Sequence, residues 1–147
     1  MGRYYSDVER VVIDTFEQWD VTRIGFSWRQ YYLDHTRQVQ NLSMRMAREL
    51  EADVEQLRYA AILHDITKRY DGAIRKDGEG KNVVDAEGFW LNETMRPDRE
   101  NWVTKLYDGL GLHGQIHHRS GAVMAEHVRR EFDLNEGFVG AVTKIVA

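Results

Sequence analysis

The sequence predicts an all-α fold, a compact multi-helix bundle, and three observations support this. Apolar residues recur at helical spacing in several segments, while the sustained two-residue alternation of half-buried strands is absent from the sequence. Proline occurs once, at Pro97, whereas turn-rich β proteins usually contain more. The 147 residues have the length of one ordinary domain, so we expect a single domain over 1–147.

Three helices are predicted in the first half of the chain, each preceded by a residue that can cap its first turn. They cover about residues 7–19, 28–50 and 53–69. The capping residues are Ser6, Ser27 and Asp53, with Glu9, Gln30 and Gln56 at the reciprocal positions. One face of the second helix carries Tyr31, Tyr32, His35, Val39, Leu42, Met46 and Leu50. We expect that face to be buried.

The middle of the chain is less regular than the first half. Residues 71–88 contain four glycines among charged residues and are predicted to form a mobile surface loop. Weak helical character over 89–95 precedes a stronger helix that begins after Pro97 and ends at Gly109. We expect residues 71–112 to be an insertion between the functional motifs described below.

Two helices are predicted in the last part of the chain. One spans about residues 115–132, and Asn135 can cap another that carries several apolar residues. The apolar pattern continues to Ala147 without a helix-stop signal. We therefore expect the complete domain to extend further at its C-terminus.

Composition excludes several classes of protein. The absence of cysteine excludes disulfides, iron–sulfur clusters and thiolate zinc sites. The formal charge of −4 argues against a general nucleic-acid or membrane-surface binder, because both need a basic face. No apolar run approaches the ~18 residues of a membrane span. We expect a cytoplasmic protein, and we leave a homodimer open.

Three of the six histidines fall on helix faces that are predicted to be buried: His35, His64 and His117. One buried histidine is usually a hydrogen-bonded core residue. Three from separate helices can meet at one point, because packed helices lie about 8–10 Å apart. Joined by the carboxylate of Asp65, such imidazoles form a nitrogen and oxygen ligand set for a divalent metal.

Two neighbours of His64 bear on this site. Adjacent helical residues point about 100° apart, so His64 and Asp65 share a site only if it straddles the helix edge, where a carboxylate can also bridge two metals. Lys68 lies one turn after His64 and projects near the same place. Lys68 has two interpretations. Its ammonium group can bind a phosphate that lies between it and a metal, or it can be a solvated side chain at the helix end that pairs with Asp65.

These residues and the segments around them resemble the HD superfamily of metal-dependent phosphohydrolases. The matching segments are DHTRQV at 34–39, YAAILHDITK at 59–68 and HHRSGA at 117–122. The resemblance implies an HD-domain-like bundle that binds one or two divalent ions. The ligands that it implies are His35, His64, Asp65 and His117, with His118 as an alternative to His117. Iron, manganese, zinc, nickel and cobalt all accept imidazole and carboxylate, so the ligands leave the metal open.

The motif wording is closest to that of the bacterial dinuclear HD hydrolases that act on diadenosine tetraphosphate. The chain departs from them in two ways. His117 follows His64 by 53 positions, a longer connection than in those enzymes. The further histidine and aspartate that complete the family's ligand set do not follow within this sequence.

The resemblance implies a phosphohydrolase that cleaves a phosphate ester or anhydride with a metal-activated water. The expected substrate and partner is a nucleotide or other small phosphorylated metabolite. Asp65 and Lys68 would be catalytic, and Lys68 and Arg119 would contact phosphate. The alternatives are an HD-type di-iron oxygenase and a non-catalytic nucleotide-binding sensor.

The insertion offers further candidates for substrate contacts. Three aromatic residues that can stack on a base are Trp90, Trp102 and Tyr107. Three cations that can meet phosphates are Arg75, Lys76 and Lys81. A surface excursion whose aromatics pack a small core explains the same residues. We interpret His113 and His127 as structural or solvated.

Overall fold

A computed structural model of the protein describes residues 2–23 and 25–131. Its helices are α1 (Gly2–Glu17), α2 (Trp28–Tyr31), α3 (Arg37–Glu49), α4 (Val54–Leu63), α5 (Trp102–Gly109) and α6 (His117–Glu131). A π-helical turn over Tyr32–Thr36 joins α2 to α3, and a 3₁₀ turn over Lys68–Tyr70 follows α4. The described part is therefore mostly helical, as predicted.

Two small antiparallel pairs of strands correct the all-α prediction. Strand β1 (Thr22–Arg23) pairs with β2 (Phe26–Ser27), and β3 (Asp71–Ile74) pairs with β4 (Asn92–Thr94). The weak helix predicted over 89–95 is wrong, because β4 lies there.

Residues 71–95 fold into an antiparallel excursion, which we call the arm. Two turns with the sequence Asp-x-Glu-Gly shape it, and the Asp77 and Asp85 carboxylates accept main-chain N–H groups two and four residues ahead. Gly80 and Gly88 end these turns with φ of +80° and +89°, a conformation that favours glycine. Of the four glycines in the predicted loop, Gly78, Gly80 and Gly88 are therefore turn residues of the arm, whereas Gly72 lies in β3.

The first helix begins earlier than predicted. Helix α1 starts at Gly2, so Ser6 lies inside it and the capping box with Glu9 is wrong. Val8, Val12 and Phe16 recur at helical spacing along α1, and all three are buried.

The second predicted helix is interrupted by the π-helical turn. Ser27 caps α2 as predicted and accepts the main-chain N–H of Gln30 at 3.2 Å. A π-helical turn closes i→i+5 hydrogen bonds and so changes the phase of the helix that follows it. Leu42, Met46 and Leu50, predicted to be buried, are accordingly exposed in and just after α3.

The third predicted helix is shorter than expected. Asp53 caps it and accepts the main-chain N–H of Gln56 at 3.0 Å, as predicted. The helix ends at Leu63 rather than near Arg69, and the chain turns sharply before the 3₁₀ turn. This early end determines how the candidate site is built.

The helices predicted after Pro97 and over 115–132 are confirmed as α5 and α6. Asn101 caps α5 in a capping box with Thr104. The helix expected from Asn135 lies outside the described residues.

One apolar core joins α1, α4, α5 and α6. Its most deeply buried members include Val8, Val12, Tyr59, Ile62, Leu63, Tyr107, Met124 and Val128. The Tyr70 and Tyr107 rings stack within it at 4.0 Å. The core therefore fixes the C-terminal end of α4 beside the first turn of α6.

Candidate metal centre

Three chain segments bring the predicted ligands together. His35 lies in the π-helical turn, His64 and Asp65 follow the last residue of α4, and His117 is the first residue of α6. Each ligand thus sits where regular α-helix is interrupted, ends or begins. π-Helical turns occur frequently at functional sites.

The three rings are arranged around one carboxylate. Nε2 of His64 and Nε2 of His35 lie 3.2 Å and 3.4 Å from Asp65 Oδ2. Nε2 of His117 lies 3.8 Å from the other oxygen, Oδ1. Among the described residues, His35, His64 and Asp65 form a group of ligand atoms that lie within 4.8 Å of one another and can hold a metal ion.

Two consecutive residues serve one site at the end of α4. His64 caps the helix directly after its last residue, Leu63, with φ of −58° and ψ of −34°, and Asp65 lies in the turn that follows. Their side chains come within 3.2 Å of each other. The expected site at a helix edge is thus a site at a helix end.

Two of the rings are held by their other nitrogen. Nδ1 of His64 lies 2.5 Å from the main-chain oxygen of Ala61, and Nδ1 of His117 lies 2.5 Å from Asp71 Oδ2. An Nδ1–H that donates to such an acceptor leaves Nε2 to bind a metal.

The side chains of the site differ in their exposure to solvent, from the buried Asp65 to the partly exposed His35. The side chain of Asp65 is 5% exposed, that of His117 17%, that of His64 28% and that of His35 42%. The Lys68 side chain is 39% exposed. The cluster is therefore most open to solvent beside His35 and Lys68.

The charges of the cluster favour an ionised carboxylate. Burial opposes ionisation of Asp65, but the hydrogen bonds and charges supplied by His64, Tyr31 and Lys68 outweigh it and hold the pKa of Asp65 well below its usual value. Burial also opposes the charged form of His64, yet the hydrogen bond and charge of Asp65 raise the pKa of that ring. Asp65 is therefore a carboxylate across the physiological range.

His35 differs from His64 in its protonation. Burial, together with the charges of His64 and Lys68, lowers the pKa of His35 in spite of the opposing effect of Asp65. A lowered pKa favours neutral imidazole, which is the form that binds a metal.

Lys68 and Tyr31 also contact the Asp65 carboxylate and each other. Lys68 Nζ lies 3.5 Å from Asp65 Oδ2 and donates to the Tyr31 hydroxyl at 3.2 Å. Tyr31 donates to Asp65 Oδ2 at 2.8 Å. Burial, and next the hydrogen bond to Asp65, raise the pKa of Tyr31, which keeps its hydroxyl protonated. The pairing of Lys68 with Asp65, one of its two interpretations, is thus present.

Arg119 and His118 lie in the first turn of α6 near the site. The Arg119 guanidinium pairs with Glu87 of the arm and lies 4.7 Å from the centroid of the Phe89 ring. His118 is exposed, and its ring centroid lies 4.1 Å from that of His117. Burial and the His117 charge lower the pKa of His118.

The residues of the insertion that were expected to contact a substrate differ in burial and in their contacts. Tyr107 is 1% exposed and stacks in the core, so its predicted role in base stacking is wrong. Trp102 donates its ring N–H to Asp14 on α1, whereas Trp90 is exposed on the arm. Lys76 donates to Asn82.

The remaining cations and histidines have ordinary surroundings. Lys81 pairs with Glu79 at 2.9 Å, and Arg75 lies against Gly114. His113 pairs with Asp108 at 2.7 Å. His127 lies ten residues after His117, about 15 Å along α6, which keeps it away from the cluster.

Sequence reasoning missed two residues of the site. The apolar spacing places Tyr31 on a buried helix face, and its position one helical turn before His35 is the signal that could have linked it to the site. Asp71 lies in a segment that the sequence predicts to be a loop. Its contact with His117 joins residues 46 positions apart, so no local sequence pattern indicates its role.

The described helices and the histidine–aspartate cluster define a mostly helical domain with a group that can hold a divalent metal. A family model described as HD domain matches residues 32–146, and the chain therefore belongs to the HD domain family. This is a family of metal-dependent phosphohydrolases. Searches of curated proteins and of solved structures returned no match to the chain.

Within the described residues, no helix combines the length and the hydropathy that a bilayer crossing requires.

Proposed function

We propose that the protein is a metal-dependent hydrolase of a phosphate ester or anhydride in a small phosphorylated metabolite, such as a nucleotide. The observation that carries the proposal is the convergence of the Nε2 atoms of His35, His64 and His117 on the two oxygens of the buried Asp65 carboxylate. Imidazole and carboxylate together suit iron, manganese, zinc, nickel and cobalt.

The residues present fit one ion and allow a second. His35 and His64 face Asp65 Oδ2, and His117 faces Oδ1. The carboxylate can therefore serve ions on both of its sides, with His118 available near His117. When bound, a divalent ion supplies a water of lowered pKa as the nucleophile and a positive charge beside the phosphate.

We assign a role in hydrolysis to each of three polar residues of the site: Asp65, Lys68 and Tyr31. Asp65 would hold the metal and, as a hydrogen-bond acceptor, would orient the water that acts as the nucleophile. Lys68 stands on the exposed side, where its ammonium group can neutralise charge that develops on phosphoryl oxygens. The Tyr31 hydroxyl holds Asp65 and Lys68 in place through its two hydrogen bonds.

Arg119 would add a second phosphate contact at the start of α6. Its guanidinium pairs with Glu87, whose side chain is 60% exposed, and exposed ion pairs are worth little. A phosphate group can therefore displace Glu87 at small cost. The arm would then contribute to substrate choice through the same pair.

The proposal is tested by metal analysis of the purified chain together with a phosphatase screen over nucleotides and sugar phosphates. His64→Ala and Asp65→Ala should lose bound metal and hydrolysis, whereas the matched variant His127→Ala on α6 should keep both. Equal metal content in all three variants would remove the assignment.

The same preparation separates the two alternatives. Oxygen consumption with an organic substrate and no attack on phosphate esters would indicate a di-iron oxygenase. Stoichiometric nucleotide binding without turnover at full metal occupancy would indicate a sensor.

A further inference from the structure

The side chain of Asp71 has an unusual pair of contacts with His117. One oxygen, Oδ2, accepts the ring Nδ1–H of His117 at 2.5 Å and the main-chain N–H of the same residue at 3.1 Å. Within the described residues, the hydrogen bonds of this carboxylate both go to His117. Its other oxygen, Oδ1, is buried and has no partner there.

We propose that Asp71 is a positioning residue that sets the tautomer and orientation of His117 and thereby increases the affinity of the centre for a divalent metal. This inference rests on the proposed function, since it concerns the same centre. Asp71 accepts a hydrogen bond from Nδ1–H, so the lone pair of the neutral ring lies on Nε2, the atom that faces Asp65. A carboxylate in this position also makes Nε2 a stronger ligand.

The placement of Asp71 makes it suited to this task. It is the first residue of β3 and lies opposite Thr94 of β4, so its main chain is held by the arm. Thr67 donates its hydroxyl to the main-chain oxygen of His117 at 3.2 Å. His117 is thus held through its N–H, its ring and its carbonyl oxygen, each by a residue outside α6.

His64 offers an internal comparison. Its Nδ1 is held by the main-chain oxygen of Ala61, so substitution of a side chain cannot remove that acceptor. His117 depends on a side chain for the same function. The metal centre is therefore coupled to the arm through one carboxylate.

The experiment compares the affinity for Co²⁺ of the full chain and its variants by isothermal titration, with the visible spectrum of bound Co²⁺ as the second measurement. Asp71→Ala should weaken the affinity by about 10–100-fold and change the spectrum. Asp71→Asn should lose less, because its amide oxygen can still accept the Nδ1–H. The matched control is Asp108→Ala, which removes a carboxylate that contacts the ring of His113, a histidine outside the predicted ligand set.

A contact that merely supports the fold would lower the melting temperature of Asp71→Ala and leave the affinity and spectrum unchanged, which overturns the proposal. A second test uses the His117→Ala background. There Asp71→Asn should cause no further loss of affinity, and an undiminished loss would show that Asp71 does not act through His117.

Nitrogen NMR of the metal-free wild type decides the matter even if the Asp71 variants fail to fold. The His117 ring should carry its proton on Nδ1, and a proton confined to Nε2 would overturn the proposal. A wild-type chain that takes up no metal would refute the proposed function and this inference together. Metal uptake by the wild type with equal affinity in Asp71→Ala would refute this inference alone.

Discussion

The contact between Thr67 and Ser120 fixes the position of α6 against the turn that carries His64 and Asp65. Both hydroxyl-bearing residues are fully buried, and their hydroxyl oxygens lie 2.8 Å apart. Thr67 also donates to the main-chain oxygen of His117 at 3.2 Å, and Ser120 contacts the main-chain oxygen of Ile116 at 3.4 Å. We expect these hydrogen bonds to be measurable as stability.

Thr67→Val keeps the shape of the side chain and removes its hydroxyl group. It breaks two buried hydrogen bonds, each worth about 0.5–1.5 kcal/mol net, so we expect a loss of about 2 kcal/mol in the free energy of unfolding. Ser120→Ala breaks the shared bond and leaves Thr67 its bond to His117, so about 1 kcal/mol should be lost. The double variant should lose about 1 kcal/mol less than the sum, because the shared bond is counted in both single variants.

The assay is urea unfolding of the four proteins, analysed with a common dependence on denaturant. Thr15→Val is the matched control, since Thr15 is buried and its hydroxyl donates to Val11 within α1. Thr15→Val and Ser120→Ala should be additive. Additivity of Thr67→Val with Ser120→Ala, within about 0.3 kcal/mol, would refute the reasoning.

Three other perturbations test separate parts of the molecule. Gly72→Ala should cost about 1–3 kcal/mol by urea unfolding, because its Cβ would lie 2.6 Å from the main-chain oxygen of Glu93, whereas Gly78→Ala meets no described atom within 4 Å and should be near neutral. Burial raises the pKa of Asp108, but the hydrogen bonds from Arg96 and His113 outweigh it and lower that pKa, so Asp108→Asn should lose stability at pH 7. That loss should vanish as the pH falls below about 4 in acid melts, because the carboxylate contributes only when ionised. Removing metal with a chelator should lower wild-type stability by about 2.7 kcal/mol from a state with free metal at 100 times Kd, and should not affect Asp65→Ala.

Each of these three has an outcome that contradicts it. Equal free energies of unfolding in urea for the two glycine variants would show that the arm accommodates a side chain at Gly72. A stability difference for Asp108→Asn that does not shrink as the pH falls below about 4 would show that the ionised carboxylate is not its cause. Equal chelator sensitivity in Asp65→Ala and wild type would place the metal elsewhere.

Local patterns in the sequence predicted much of the fold. Ser27 and Asp53 cap their helices by accepting main-chain N–H groups three residues ahead. The start of each helix could therefore be predicted from the residue type at the cap position. The repeated Asp-x-Glu-Gly segments of the arm carried a comparable local signal for turns, which the reading of 71–88 as a mobile loop overlooked.

Interruptions of helices were not predictable from periodicity. The end of α4 at Leu63 and the π-helical turn around His35 lie within stretches whose apolar spacing predicts continuous helix. In the structure, the turn after Leu63 packs on α6, where Gly121 leaves so little room that an added Cβ would lie 3.3 Å from the Thr67 hydroxyl. Contacts between distant segments, rather than local preference, accompany these breaks.

The sequence by itself identified the family's motifs, the imidazole and carboxylate residues His35, His64, Asp65 and His117, and the mainly helical architecture, because these depend on residue type and short-range spacing. The tertiary structure decided which atoms face one another: Nε2 of each ring toward Asp65, Tyr31 beside Lys68, and Asp71 behind His117. The physical reason is that the orientation of a histidine ring depends on which acceptor binds its Nδ1, the nitrogen that faces away from Asp65. For His117 that acceptor belongs to a strand 46 positions away in the chain.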